Sequence, residues 1–205
     1  MIIGAIEAGG TKFVCGLFET SEQGIKPVLL SRTSIPTTTP AETIEASRSW
    51  FASAGHKAER LGIGSFGPVD LDPASPRWGY VTSTPKPFWR DTPLATVFRD
   101  SLGIPVAFDT DVNAAALGEA AWGSGVGLSD LIYITVGTGI GGGVLSGGKL
   151  VHGRNHPEMG HVKTGRLSGD TYGGHCPFHK DCLEGMAAGP AIGERWGTRA
   201  ENLPA

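Results

Sequence analysis

The sequence predicts an α/β protein of two related lobes, and three observations predict it. Short apolar runs alternate with helix-like segments, the first of these runs form an antiparallel meander, and a unit of strand, glycine turn and strand at the N-terminus starts again at residue 131. Glycine supplies 32 of the 205 residues, twice the usual ~7%, in clusters that mark tight loops and not a fibrous repeat. A recurring unit argues for two lobes. Their boundary falls within 118–129 and divides the chain into residues 1–120 and 121–205.

Residues 2–6 and 13–18 are apolar runs on either side of E-A-G-G-T-K, two strands joined by a glycine turn. Residues 28–34 supply a third strand. Residues 40–52 begin with proline and an early glutamate and carry Ile44, Trp50 and Phe51, the pattern of a helix. Residues 61–65 form another strand. Five prolines, Pro68, Pro73, Pro76, Pro85 and Pro87, then exclude regular helix and make 67–89 a long stiffened loop of the kind that carries function. A helix over 92–102, a short strand over 106–108 and an alanine-rich helix over 112–122 follow. Residues 131–136 are a β-branched strand, 143–151 a hairpin around S-G-G-K, and 191–196 a helix.

A chain of this length buries a real core without metal support. The formal charge is -3 and the basic residues are scattered, so nucleic acid and anionic lipid are not expected partners and a small molecule is. The start, M-I-I-G-A-I-E, has no basic n-region or apolar h-region, and no stretch approaches a membrane span. Three cysteines without a secretion signal favour a reducing, cytoplasmic setting, where closely spaced Cys and His read as metal ligands.

The glycine turns carry the first chemical signal. No Walker A loop occurs, because Gly148-Lys149 is followed by Leu150. G-T-G-I-G-G over 137–142 matches the dinucleotide spacing, but that fingerprint must open a helix and V-L-S-G-G-K-L-V follows instead. What remains is a strand-turn-strand loop whose bare amides cradle phosphate oxygens. Gly9, Gly10, Thr11 and Lys12 form the first, and Thr138 and Gly139 belong to the second; the threonines add hydroxyl donors and Lys12 a charge. Two ordinary hairpin turns are the bland alternative.

E-A-G-G-T-K, T-D-V-N-A-A-A-L-G-E, T-V-G-T-G-I-G-G-G and H-P-E-M-G-H occur in the order of the signatures of the ROK sugar kinases, which the chain resembles over almost its whole length. S-F-G-P-V-D, T-P-K-P-F-W-R and the cysteine segment look closest to the bacterial fructokinase branch. The resemblance implies an actin-like ATPase (ribonuclease H-like) fold of two lobes, with the active site in the cleft. It implies ATP, with Mg²⁺ bridging its phosphates, and γ-phosphoryl transfer to a hexose, D-fructose to D-fructose 6-phosphate. A homodimer is expected. The family continues beyond E-N-L-P-A with helices that finish the second lobe and cover the adenine ring. The second lobe is therefore expected to be incomplete here, with Pro190 touching the nucleotide.

Phosphoryl transfer needs positioning, charge neutralisation and a base for the attacking hydroxyl. Asp111, immediately before a helical segment, reads as an N-cap; the resemblance makes it the catalytic base. Glucose-specific relatives often carry Asn before this aspartate, where this chain has Thr110. Matching the family's positions makes Glu158 and Glu184 candidates for gripping sugar hydroxyls, with Asn113 either on the substrate or ordering the cleft.

C-P-F-H-K-D-C sets Cys176, His179 and Cys182 at three-residue intervals, but three ligands do not close a tetrahedral site. The resemblance supplies His161 as the fourth, with His175 and His156 as competitors. A His2Cys2 set suits structural Zn²⁺; free thiols or a Cys176 to Cys182 disulfide are the alternatives. Cys15 reads as a small core residue, and Lys149, Arg154 and Arg166 as surface charges. The rival functions are a kinase for mannose or glucose, a non-catalytic sugar sensor of the same family and an actin-like ATPase acting on proteins. Repressors of the family place a helix-turn-helix ahead of the first strand, whereas here that strand begins at Ile2.

Overall fold

The computed structural model describes residues 1–21, 25–153, 156–199 and 202–203. Arg154 lies outside them. Two sheets form among the described residues. The first contains β1 (Ile2–Ala8), β2 (Lys12–Glu19), β3 (Val28–Pro36), β4 (Arg60–Ser65) and β5 (Val106–Thr110) in the order β3-β2-β1-β4-β5. The meander is antiparallel, and β4 and β5 add parallel to β1. Parallel neighbours need crossovers, and α1 (Pro40–Ser53) and α2 (Leu94–Leu102) lie on them. The second sheet, β6 (Leu131–Val136), β7 (Ile140–Ser146) and β8 (Lys149–Leu150), is antiparallel. Between the sheets, α3 (Asp111–Trp122) packs on β4, β6 and β7. A 3-10 turn (Met159–His161), α4 (Leu183–Ala187) and α5 (Gly189–Trp196) follow. No described helix is long and apolar enough to cross a membrane.

Alternation builds the core. Ile6 and Ala8 of β1, and Phe13, Cys15 and Leu17 of β2, point inward onto Ile44 and Phe51 of α1 and Leu94 and Phe98 of α2. Thr39 and Glu42 form a capping box at the start of α1, ahead of the first-turn Pro40.

The elements depart from the sequence expectation in several places. Helix α2 starts at Leu94, because Thr92 pairs with Val81 across the proline-rich loop and Pro93 follows. Helix α3 begins one residue early, at Asp111. Strand β7 begins at Ile140, which shortens the second glycine turn to 137–139. The short α4 and the 3-10 turn were not anticipated, since each is too brief to show a period. The proline-rich loop is no surface excursion either. Trp89 is fully buried, packs tilted on Phe13 and edge-on to Phe66 with ring centroids 5.3 and 5.5 Å away, and donates its indole N–H to the Thr38 carbonyl at 2.8 Å. An indole buried with its donor satisfied anchors the loop to the core.

Candidate active site and metal centre

In the first glycine turn the Gly9 amide donates to the Lys12 carbonyl at 3.0 Å. Thr37, from beyond β3, donates its hydroxyl to the Gly9 carbonyl at 2.7 Å and its amide to the Thr11 carbonyl at 2.9 Å. With these carbonyls occupied, the turn presents Gly10, Thr11 and Lys12 to solvent. The second turn is braced from α4 and α5. The Gly189 amide donates to the Gly137 carbonyl at 2.7 Å, and Glu184 Oε2 accepts the Ile140 amide at 2.9 Å. Thr138 and Pro190 line one open cavity of about 700 Å³, with Gly137, Ile192 and Arg199.

Asp111 stands at the start of α3, but the N-cap is Thr110, whose hydroxyl accepts the Asn113 amide at 3.2 Å. This corrects the capping role expected of Asp111. Because the cap is the neighbour, the Asp111 carboxylate is not held by the Asn113 amide; its Oδ1 accepts from Val112 N–H at 2.9 Å. Two glycines let the helix start sit this deep. A Cβ on Gly143 of β7 would come within 2.2 Å of the Val112 carbonyl oxygen, and one on Gly64 of β4 within 3.3 Å of Asp111 Cα. Burial pushes the Asp111 carboxyl up to about 6; the Val112 amide opposes this, and the charges of Glu7 and Glu158 add to it.

Glu158 precedes the 3-10 turn and lies within 3.3 Å of His156 Nδ1. The other ring nitrogen of His156, Nε2, accepts the Val69 amide at 3.3 Å. The imidazole thus joins the loop after β4 to Glu158. Glu184 is held differently: one oxygen supports the second turn, and a Cβ on Gly139 would meet it at 2.6 Å. Asn113 is turned inward. It is 0% exposed and donates Nδ2 to Asp109 Oδ1 at 2.7 Å, an arrangement that orders the helix start.

Among the described residues, His161, Cys176, His179 and Cys182 place their ligand atoms within 4.8 Å of one another. His161 Nδ1 lies 3.7 Å from Cys176 Sγ and 3.5 Å from Cys182 Sγ, and His179 Nδ1 lies 4.0 Å from Cys176 Sγ. A tetrahedron with Zn–S of about 2.3 Å and Zn–N of about 2.0–2.1 Å has edges of roughly 3.4–3.8 Å. The spacing fits. The competing histidines are engaged elsewhere, His156 as above and His175 with Glu194 Oε1 at 2.7 Å. The three cysteines are free thiols.

Glu7, Thr37 and His152 escaped sequence reasoning, as did the link that His156 makes between Val69 and Glu158. Glu7 is exposed at the end of β1, and its position before A-G-G-T-K was the available signal. Nothing local marks Thr37, whose partners are 26 and 28 residues away. Of the residues expected to be charged surface, Lys149 and Arg166 are both exposed, and Arg166 also bonds the Tyr172 carbonyl at 2.6 Å.

The model of the ROK family matches residues 3–205. A fructokinase of Pediococcus pentosaceus is 45% identical over 204 residues, covering 100% of this chain and 68% of that protein. A fructokinase of Zymomonas mobilis is 48% identical over 201 residues, covering 96% and 65%. The chain thus spans about two-thirds of the length of these curated relatives. Among solved structures, a ROK family glucokinase from Streptomyces griseus in complex with glucose and AMPPNP superposes with a TM-score of 0.75 at 34% identity, over 95% of this chain and 59% of that one. A ROK hexokinase from Thermus thermophilus gives 0.73 at 31%, over 98% and 66%.

Proposed function

Because the chain belongs to the ROK family, whose actin-like ATPase fold it carries, we propose that it transfers the γ-phosphoryl group of ATP to a hexose, D-fructose giving D-fructose 6-phosphate. The observation that carries the chemistry is Asp111, pinned at the start of α3 with its carboxyl raised to about 6. Such a group is ionised at neutral pH yet basic enough to take a proton from a sugar hydroxyl. Fructose is favoured by fructokinase relatives at 45% and 48% identity, against 36% for a Streptomyces coelicolor glucokinase over 77% of this chain. Thr110 stands where glucose-specific relatives often carry Asn, which counts against glucose; its hydroxyl serves the helix cap.

ATP with Mg²⁺ supplies the phosphoryl group and the charge neutralisation. The chain supplies the cradle: Gly9, Gly10, Thr11 and Lys12 on one side, Thr138 and Gly139 on the other, and Pro190 in the cavity beside the second turn. Glu7, exposed next to the first turn, is the carboxylate placed to meet the cation. Glu158 accepts sugar hydroxyls, and Glu184 retains one oxygen for the sugar while the other braces the turn. Zn²⁺ fits His161, Cys176, His179 and Cys182 as a closed structural site with no open position for catalysis. It would tie the segment carrying Glu158 to the start of α4.

A coupled ADP-release assay across fructose, mannose and glucose tests the reading, with turnover expected to be fastest on fructose. Preference for another hexose would correct the substrate, and sugar binding without turnover would make the protein a sensor. Sedimentation of the same sample checks the homodimer that is part of this proposal.

A further inference from the structure

Asp109, two residues before the base, is a second carboxylate at the helix start and has a different task. Its Oδ1 accepts the Thr110 amide and Asn113 Nδ2, each at 2.7 Å, and its Oδ2 lies 2.7 Å from His152 Nε2. An ionised carboxylate only accepts, so His152 Nε2 carries the proton in this pair. Asn113 Oδ1 is buried and has no partner among the described residues. The contact with Asp109 therefore fixes which way the Asn113 amide faces, since the flipped amide would set oxygen against carboxylate.

His152 comes from a different sheet. It follows β8 in the second sheet, whereas Asp109 ends the parallel edge of the first. One hydrogen bond thus reaches from the second lobe to the junction of β5 and α3. We propose that His152 is a positioning residue for the base, acting through Asp109 and Asn113 to hold the first turn of α3, and hence Asp111, in register with the second lobe. The inference rests on the kinase reading for its kinetic consequence but not for its structural one. With His152 removed, Asp109 keeps its oxygen on Asn113 but loses the contact that fixes its plane, and the helix start loosens. Misplacing a catalytic group by a fraction of an ångström lowers the rate without altering how tightly substrate binds elsewhere.

The test combines NMR and kinetics on the full chain. In the unmodified protein, ¹⁵N spectra should show His152 as the Nε2–H tautomer; the Nδ1–H form would overturn the proposal without any variant. In His152→Ala, amide exchange at Val112 and Asn113 should rise about tenfold while β1 and β2 stay protected. kcat should fall about tenfold with hexose KM unchanged. His152→Gln, which can still donate to Asp109, should restore most of both. Unchanged exchange and kcat in His152→Ala, or a loss that Gln fails to rescue, would overturn it. If the unmodified chain shows the tautomer and the protection but phosphorylates no hexose, the kinase reading fails and this one stands.

Discussion

At Asp111 placement and protonation are set by different neighbours. Thr110 caps the helix and leaves the carboxylate clear of the Asn113 amide, while burial, then Glu7 and Glu158, raise its pKa to about 6. Replacing it with Asn should lower kcat by on the order of 10²–10⁴-fold with hexose affinity retained, as titration calorimetry beside steady-state kinetics would show. Equal turnover would remove Asp111 from the mechanism. The sign of its effect on stability follows from the same shift. A carboxyl raised above its unfolded value of 3.8 contributes stability below about pH 4 and loses it as pH rises through about 6. Asp111→Asn should therefore melt no lower than the parent at pH 8 while being nearly inactive. The pH profile of kcat/KM should have an acid limb near 6, and Glu7→Gln, which removes a nearby anion, should move that limb to lower pH. The helix start itself was legible in T-D-V-N-A-A-A-L-G-E, although its cap is Thr110 and the base role of Asp111 entered only by resemblance. Glu7, Thr37 and His152 were not, because their roles come from strand pairing and lobe contact that no local spacing encodes.

The glycine run over 137–143 divides into two tasks at the level of elements. The sequence assigns 137–142 to phosphate binding, yet only 137–139 form the turn; the rest belong to β7, where missing side chains admit α3 and the 3-10 turn. A run of glycines signals close approach without saying what approaches. Gly143→Ala would drive a methyl group into the Val112 carbonyl, so about 1–3 kcal/mol of destabilisation is expected, with kcat falling further than folding explains because Asp111 moves. Denaturant unfolding together with kinetics at low temperature separates the two effects. The metal loop was legible as a ligand set, since C-x2-H-x2-C is local, and His161 entered only by resemblance; its placement rests on the Met159–His161 turn docking against β7. Removing zinc by chelation should release one metal per chain by elemental analysis, raise hexose KM severalfold and leave the acid limb of the pH profile in place. A chelated protein with unchanged KM would argue that the loop and Glu158 are uncoupled.

Across the whole molecule, an alternating α/β order with a second strand-turn-strand unit was readable from the chain because periodicity and glycine turns are local signals. How the second sheet is covered was not. Its outer strand, β6, presents Ile132, Ile134 and Val136, each 56–60% exposed, and Leu117, Val126 and Leu128 are exposed as well. An edge strand with an apolar face is a template for pairing and for hydrophobic contact. The cavity holding Thr138 and Pro190 begins on the same strand, at Val136, so cover for this face and closure around a nucleotide are linked. The 205-residue chain should therefore bind a hydrophobic dye, associate as its concentration rises and hold ATP weakly. Ile134→Lys places a charge at the centre of the strand and should suppress association without disturbing the first sheet, whose core lies on the far side of α3. Sedimentation at several concentrations, with dye fluorescence and calorimetric ATP titration on the same samples, checks all three. A monomer that ignores the dye and binds ATP tightly would show that the exposed strand carries no such demand.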